Sequence, residues 1–142
     1  SIFLKMGIKK ERILFAKRMK NIEDHLSRHS CADIFLDTFN YNAHSTAIDS
    51  LWAGLPVITL LGKTYSSRAC ASYLNTLGFP NLITHSIIEY EQKIIDFSHT
   101  PNKLLKLRKT LNDKKMSSYL FNSEDLTTNL ENIYINVINN HC

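Results

Sequence analysis

Short apolar runs alternate with segments of helical spacing over the first 84 residues, and this alternation constrains the fold more than any other feature of the chain. The runs are almost continuously hydrophobic, which is typical of strands buried on both faces of a parallel sheet. They span residues 13–16, 34–37, 57–60 and 82–84. The helical segments between them span residues 22–30, 45–53 and 67–77. The pattern therefore predicts an α/β fold with a Rossmann-like parallel sheet.

Only helices are predicted after residue 84, over residues 87–97, 102–116 and 123–139. We expect these helices to pack on the flank of the sheet or to brace a neighbouring domain. In the last segment apolar side chains recur at spacings of three and four, which places them on one helix face. We expect this stripe to be ordinary core: Leu126, Leu130, Ile133, Val137 and Ile138.

Length and charge exclude several classes of protein. A chain of 142 residues is long enough for one core, and no linker or repeat divides it, so residues 1–142 are expected to form one unit. The net charge of +4 is not gathered into a tail or stripe, which argues against a nucleic-acid partner. No apolar stretch approaches the ~18 residues of a membrane span, and no signal peptide is recognisable. We therefore expect a cytoplasmic protein with no membrane partner.

The cysteines agree with a reducing compartment. Cys31, Cys70 and Cys142 are odd in number and form no CxxC pair or zinc-type spacing. We expect three reduced thiols, with Cys31 and Cys70 packed in the fold and Cys142 at a loose end.

A polar loop follows the second apolar run and leads into a predicted helix. Ligands of parallel sheets bind beyond the carboxyl ends of the strands, where helix N-termini point free N–H groups. His44, Ser45 and Thr46 would present an imidazole, two hydroxyls and backbone donors there, a set that can hold a diphosphate without a metal. Asp49, one turn on, could accept hydrogen bonds from ribose hydroxyls. The structural alternative is that Ser45 or Thr46 is only a helix cap and His44 an ordinary loop residue.

A second loop, residues 61–68, repeats this pattern with a glycine and two serines. No GxGxxG or GxxxxGK[ST] motif is present, and 4 glycines are too few for a glycine-cradled dinucleotide site.

His25 and His29 lie four residues apart, but no third ligand accompanies them, so a metal pair is disfavoured. We expect His25 to stack on or bond to a base, with Arg28 on the same helix face.

Three stretches carry a family resemblance. Residues 33–38 are DIFLDT, residues 42–59 are NAHSTAIDSLWAGLPVIT, and residues 62–72 are GKTYSSRACAS. Together they resemble the C-terminal catalytic region of the O-GlcNAc transferase and SPINDLY family. The similarity continues at residues 77–78, 89–90 and 117–122, and so covers nearly the whole chain.

The resemblance implies part of the C-terminal, nucleotide-sugar-binding half of a GT-B glycosyltransferase. Its expected reaction is the inverting, metal-independent transfer of N-acetylglucosamine from UDP-GlcNAc to Ser or Thr hydroxyls of proteins, with no cofactor besides the donor. No catalytic residue is assigned. The implied ligands are His44, Ser45 and Thr46 for the diphosphate, Asp49 for the ribose, and His25 with Arg28 for the base.

Some features of the chain leave alternatives open. The SPINDLY branch, which uses GDP-fucose, tends to have Thr at position 44, so the presence of His44 and Asp49 favours the UDP-GlcNAc branch. Lys63 stands where relatives usually have an acidic residue, which leaves a truncated, non-catalytic nucleotide-binding or interaction module as a further alternative. The family's first two strands of this half and a phosphate-binding lysine precede Ser1. The resemblance therefore implies an incomplete sheet and a chain inactive on its own, completed by the upstream catalytic region and, in many relatives, TPR repeats.

Overall fold

The computed structural model describes residues 2–141, with side chains to residue 140. Its strands are β1 (Phe35–Leu36), β2 (Val57–Leu60) and β3 (Ile83–Thr84). Its helices are α1 (Ile2–Lys5), α2 (Ile22–Ser27), α3 (Ser45–Trp52), α4 (Ala69–Thr76), α5 (Ile87–His99), α6 (Pro101–Lys115) and α7 (Ser123–His141). Single 3-10 turns occur at Lys10–Arg12, Arg28–Cys31, Tyr65–Ser67, Pro80–Leu82 and Tyr119–Phe121.

The three strands form a parallel sheet in the order β1–β2–β3. Phe35 pairs with Val57, and Thr59 pairs with Ile83. Parallel neighbours need a crossover connection, which α3 supplies between β1 and β2 and α4 supplies between β2 and β3. The predicted alternation of strands and helices is therefore confirmed from residue 34 onward. Among the described residues, no strand pairs with the other edge of β1.

The predicted strand at residues 13–16 is wrong. This segment is irregular, and the side chains of Leu14 and Phe15 are 90% and 88% exposed. A strand needs a neighbour that supplies hydrogen-bond partners. In the described part of the chain, residues 14–20 form no backbone hydrogen bond with any strand. The composition is that of a buried strand, but the segment lies in solvent.

Glycines end two of the helices that surround the sheet. Gly54 follows α3 and Gly78 follows α4, with φ values of +79° and +75°, a left-handed conformation that glycine adopts without strain. Gly54 also lies against α6, because an added Cβ would be 2.5 Å from Oδ1 of Asn112. These two positions confirm the helix ends expected from the sequence.

The core lies between the sheet and helices α3 to α6. Its buried residues include Ala47, Leu51, Val57, Ile58, Cys70, Leu74, Leu82, Tyr90 and Leu111. Helix α5 contacts β2 and β3, and α6 contacts α3 and α5, so both lie on the flank as expected. Burial of Cys70 is confirmed, whereas Cys31 is exposed because His29 takes the buried position of its 3-10 turn. Cys142 lies outside the described residues.

The predicted burial of the apolar stripe on α7 is wrong. Its five side chains are between 42% and 60% exposed: Leu126, Leu130, Ile133, Val137 and Ile138. Helix α7 contacts the turn Tyr119–Phe121 that precedes it. Helical periodicity predicts which side chains share a face but not what covers that face. No described helix is long and apolar enough to cross a membrane.

Candidate functional site

β1 is followed by a buried carboxylate that shapes the next loop. Asp37 is 3% exposed, and its Oδ1 accepts hydrogen bonds from the backbone N–H groups of Thr38 (2.9 Å) and Ala43 (2.7 Å). Its Oδ2 accepts a hydrogen bond from Oγ1 of Thr59 on β2 (2.6 Å). The hydroxyl of Tyr90 donates to the backbone carbonyl oxygen of Asp37 (3.0 Å). These bonds hold the loop against the carboxyl end of the sheet.

The loop leads into the start of α3, where the predicted diphosphate ligands lie. His44 is the N-cap residue, but its side chain makes no capping hydrogen bond. The first N–H groups of a helix have no intrahelical acceptor, and the helix dipole makes this end electropositive. Ser45 and Thr46 are exposed, so their hydroxyl groups lie at the surface of this electropositive end. The arrangement can bind an anion.

His44 is held between two loops. Its Nε2 lies 3.3 Å from the carbonyl oxygen of Ser66. The imidazole stacks on the ring of Tyr41, with centroids 4.7 Å apart and planes at 14°, and meets the ring of Tyr65 edge to face at 6.2 Å. A carbonyl oxygen only accepts hydrogen bonds, so Nε2 carries a proton in this arrangement. Nδ1 takes no part in the hydrogen bond to Ser66.

The second polar loop, between β2 and α4, is tied to the first. Asn42 is fully buried, and its backbone N–H donates to the carbonyl oxygen of Ser66 (2.8 Å). Thr64 and Ser67 form a capping box across the turn that precedes α4. A Cβ at Gly62 would overlap the side chain of Ser67, so only glycine fits there. The two predicted loops therefore form one connected unit at the carboxyl edge of the sheet.

Three predicted nucleotide-binding residues form a hydrogen-bonded chain between α2 and α3. Nη2 of Arg28 lies 3.1 Å from Nδ1 of His25, and Nε2 of His25 lies 3.2 Å from Oδ2 of Asp49. Nη1 of Arg28 donates to the carbonyl oxygen of Lys17 (3.0 Å). The side chains of His25 and Asp49 are 24% and 33% exposed, so solvent and solutes can reach both.

A cavity of about 590 Å³ opens beside this hydrogen-bonded chain. Residues 16–22 line it together with His25 and Arg28. Its volume lies within the roughly 300–1,000 Å³ of small-molecule sites. The two residues predicted to bind a base therefore line one cavity.

Of the six predicted residues, His25 lies on α2 and Arg28 on the turn that follows it, His44 is the N-cap residue of α3, and the remaining three lie on α3 itself: Ser45, Thr46 and Asp49. Ser45 and Asp49 are four residues apart and share a face of α3. His25 of α2 contacts this face at Asp49. Between described residues, no hydrogen bond or ring contact joins His44 or Thr46 to α2. The structure thus brings the predicted ribose and base ligands into contact. The predicted diphosphate ligands are connected to them only through α3, which also carries Asp49.

Sequence reasoning missed the buried polar residues that hold the first loop. Asp37 ends the run at residues 34–37 and Asn42 follows five residues later, both within the motifs quoted above, and a polar residue at the end of a strand was an available signal. Tyr90 lies 53 residues from its acceptor Asp37, and no local spacing indicates such a contact. Burial, reinforced by the Asp37 carboxylate, raises the pKa of Tyr90 to about 12. Burial likewise raises the pKa of the Cys70 thiol, and Asp37 adds to that rise.

Both ring nitrogens of His25 have partners within the protein, Arg28 and Asp49. Nδ1 of His29 lies 2.9 Å from the carbonyl oxygen of His25, and the two rings meet edge to face at 5.1 Å. Within residues 2–140, no three His, Cys, Asp or Glu side chains come close enough to hold a metal ion.

Comparison with known proteins identifies relatives over nearly the whole chain. A family model described as Glycosyl transferase family 41 matches residues 1–130. The probable UDP-N-acetylglucosamine–peptide N-acetylglucosaminyltransferase SEC of Arabidopsis thaliana is 34% identical over 138 residues, which are 96% of this chain and 14% of that protein. SPINDLY of Solanum lycopersicum, whose name carries the same probable activity, is 30% identical over 100% of this chain and 15% of its own length.

A solved structure is also similar. The O-GlcNAc transferase of Thermobaculum terrenum, determined as a point mutant, superposes with a TM-score of 0.84 at 28% identity and covers 92% of this chain and 25% of that protein. This likeness and the parallel sheet confirm the predicted fold class, an incomplete Rossmann-like C-terminal half of a GT-B glycosyltransferase. The chain spans only a small part of each of these relatives.

Proposed function

The chain belongs to glycosyl transferase family 41, and we propose that it supplies part of the donor-binding half of a protein O-glycosyltransferase. The proposed reaction transfers N-acetylglucosamine from UDP-GlcNAc to Ser or Thr hydroxyls of proteins, with inversion and without a metal. The names of the Arabidopsis and tomato relatives, both probable UDP-N-acetylglucosamine–peptide N-acetylglucosaminyltransferases, support this donor and a peptide acceptor. No catalytic residue is proposed within this chain.

Helix α3 carries the proposal, because it presents an anion-binding end and a carboxylate on one face. We assign the diphosphate to the start of α3, the ribose to Asp49, and the base to the cavity beside His25. Ser45 and Asp49 share a face of α3, and His25 of α2 contacts that face at Asp49. The three assigned positions therefore follow one another in the order of the diphosphate, the ribose and the base in a nucleoside diphosphate.

The chemistry of this end of α3 suits a leaving diphosphate. Negative charge grows on the diphosphate as the sugar–oxygen bond breaks. N–H groups and hydroxyls that already point at the diphosphate stabilise this charge without having to rearrange. They take the role that a bound cation has in metal-dependent enzymes. His44, Ser45 and Thr46 are the side chains that stand at this position.

The remaining partners are proposals that follow from the family. The acceptor proteins and the upstream remainder of the catalytic region would complete the enzyme, with TPR repeats as in many relatives, and we expect no transfer by this chain alone. We propose a cytoplasmic location, which suits a chain whose cysteines Cys31 and Cys70 are free thiols.

Calorimetric titration of the 142-residue chain with UDP and with GDP tests the proposal. Asp49→Asn should weaken UDP binding about tenfold or more, because a carboxylate binds hydroxyls more strongly than a neutral amide does. Asp33→Asn is the matched control, since Asp33 is an exposed carboxylate that precedes β1, at the opposite end of the strand from the polar loops. EDTA should leave the UDP affinity unchanged. Failure of the chain to bind either nucleotide would contradict the proposed half-site.

A SPINDLY-like protein O-fucosyltransferase that uses GDP-fucose is the second candidate. It rests on the resemblance to the SPINDLY branch, seen in the 30% identity to tomato SPINDLY over the whole chain, although the name of that protein gives UDP-N-acetylglucosamine as its donor. Tighter binding of GDP than of UDP in the same titration would favour this candidate. A UDP preference that depends on His44 would favour the first.

A further inference from the structure

We infer that Asn42 and Tyr90 are positioning residues, which set the affinity of the start of α3 for a diphosphate without touching it. Their side chains are buried, since Asn42 is 0% exposed and Tyr90 is 6% exposed, so neither is available to a ligand at the surface. This inference rests on the proposed nucleotide site. It adds two residues to that site, neither of which belongs to the ligands that the resemblance implies.

The side chain of Asn42 joins the first polar loop, residues 38–44, to α4. Its Nδ2 donates to the carbonyl oxygen of Thr38 in the same loop (2.8 Å), and its Oδ1 accepts from the backbone N–H of Cys70 (3.4 Å). Cys70 lies in the first turn of α4, where a backbone N–H has no acceptor within the helix. Because one partner accepts and the other donates, the two bonds also fix the orientation of the amide group.

The carbonyl oxygen of Ser66 connects Asn42 with His44. This oxygen accepts a hydrogen bond from the backbone N–H of Asn42 (2.8 Å) and lies 3.3 Å from Nε2 of His44. His44 is the N-cap residue of α3, and its ring stacks on that of Tyr41. A loop that loses the side-chain bonds of Asn42 can shift against the second loop, and the imidazole at the helix start shifts with it.

Tyr90 holds the first loop from the opposite side. Its hydroxyl donates to the backbone carbonyl oxygen of Asp37 (3.0 Å), where β1 leads into the loop, and its ring meets the ring of Phe39 edge to face at 5.1 Å. Tyr90 lies on α5, which packs against β2 and β3. The loop is therefore held from α5 at residues 37 and 39, and Asn42 holds it against α4.

These contacts end directly before the proposed diphosphate site. The backbone N–H groups of Asn42 and Ala43 both have acceptors within the protein. Helix geometry leaves those of Ser45 and Thr46 without an intrahelical acceptor. Free donors stabilise an anion best when they already point at it, because no free energy is then lost to their reorientation. A loosened loop should therefore weaken binding of the diphosphate and leave binding of the nucleoside unchanged.

Titration with UDP and with uridine, which lacks the phosphates, tests this inference. The wild-type chain should bind UDP about tenfold or more tightly than uridine, since hydrogen bonds to a charged group are the stronger ones. Tyr90→Phe keeps the ring and removes only the hydroxyl, so it should lower this affinity ratio about threefold or more with the uridine affinity unchanged. Asn42→Ala should lower the ratio further, because it breaks two bonds.

Leu104→Ala is the matched control for loss of stability. Leu104 is buried on α6 and lines a cavity with Asp33 and Ile34, which precede β1 at the end of the strand away from the polar loops. Its truncation should lower Tm by leaving a cavity, yet the ratio of UDP to uridine affinity should stay as in the wild type. Affinities are compared at a temperature at which circular dichroism shows each variant to be folded. Tyr90→Phe alone decides the test if Asn42→Ala does not fold.

Inorganic pyrophosphate provides a second readout at the helix start itself. In the nitrogen-15-labelled wild-type chain, pyrophosphate should shift the amide NMR signals of Ser45 and Thr46. The same concentration should shift these signals less in Tyr90→Phe and as much as in the wild type in Leu104→Ala.

The two failures are distinguishable in these measurements. A wild-type chain that binds UDP, with an affinity ratio that Tyr90→Phe leaves unchanged, would overturn this inference alone. An equal fall of the ratio in Leu104→Ala would do the same, because lost stability would then explain the effect. A wild-type chain that binds neither UDP nor pyrophosphate would overturn the proposed function, and this inference with it.

Discussion

Substitution of Asp37 by alanine should strongly destabilise the chain. The carboxylate accepts hydrogen bonds from the N–H groups of Thr38 and Ala43 and from the hydroxyl of Thr59. Thr38 is exposed, so water can replace the carboxylate as the acceptor of its N–H group. Thr59 is fully buried and Ala43 is partly buried, so their donors would lose their acceptor. Two donors left without acceptors, at about 1–3 kcal/mol each, lower the free energy of unfolding by about 2–6 kcal/mol.

Thermal unfolding followed by circular dichroism measures this effect. An unfolding entropy of about 2.1 cal/mol/K per residue gives about 0.3 kcal/mol/K for the chain, so Tm should fall by roughly 7–20 °C. Asp37→Asn keeps one oxygen for the two N–H groups and places an amide against the Thr59 hydroxyl, which can also accept, so its expected cost is about 1 kcal/mol. A Tm for Asp37→Ala within about 2 °C of the wild type would refute the reasoning, as would equal losses for both variants.

Three further predictions concern glycine, cysteine and tyrosine positions. Gly54→Ala should destabilise the chain more than Gly7→Ala in denaturant titrations, because both have positive φ but at Gly54 the added Cβ, 2.5 Å from Oδ1 of the exposed Asn112, also forces that side chain to turn aside; equal losses would contradict this contact. Peptide mapping after brief thiol alkylation at pH 8 should find Cys31 modified and Cys70 protected, because Cys70 is buried with a raised pKa, and protection should vanish in denaturant. The raised pKa of Tyr90, about 12, means that the unfolded state loses its proton first, so stability should fall as the pH rises from 10 towards 12; Tyr90→Phe should flatten that part of the stability profile, and an unchanged slope would contradict the shift.

Local patterns predicted the part of the fold in which neighbouring segments contact one another. The runs at 34–37, 57–60 and 82–84 became β1, β2 and β3, because each strand has its sequence neighbour as its spatial neighbour. The run at 13–16 has the same composition but lacks a partner among the described residues. The stripe on α7 likewise has the right periodicity and no cover. Composition and periodicity predict what a segment can form, whereas a partner decides whether it forms.

The candidate site was predictable to a similar degree. The positions of His44, Ser45 and Thr46 at a helix start, and of Asp49 one turn on, followed from strand and helix boundaries. The contact between His25 and Asp49 spans 24 residues and depends on how α2 packs against α3, which no spacing rule specifies. The fixing of the loop by Asp37 was missed for the same reason, since its partner Tyr90 lies on α5.

The order of strands in the sheet also has a consequence for how the chain acquires its structure. Paired residues are only 22 positions apart between β1 and β2 and 24 positions apart between β2 and β3. Short separations lower the entropy lost on loop closure, which favours fast folding among α/β proteins. During synthesis, β2 can dock on β1 and β3 can dock on β2, each on the strand made just before it.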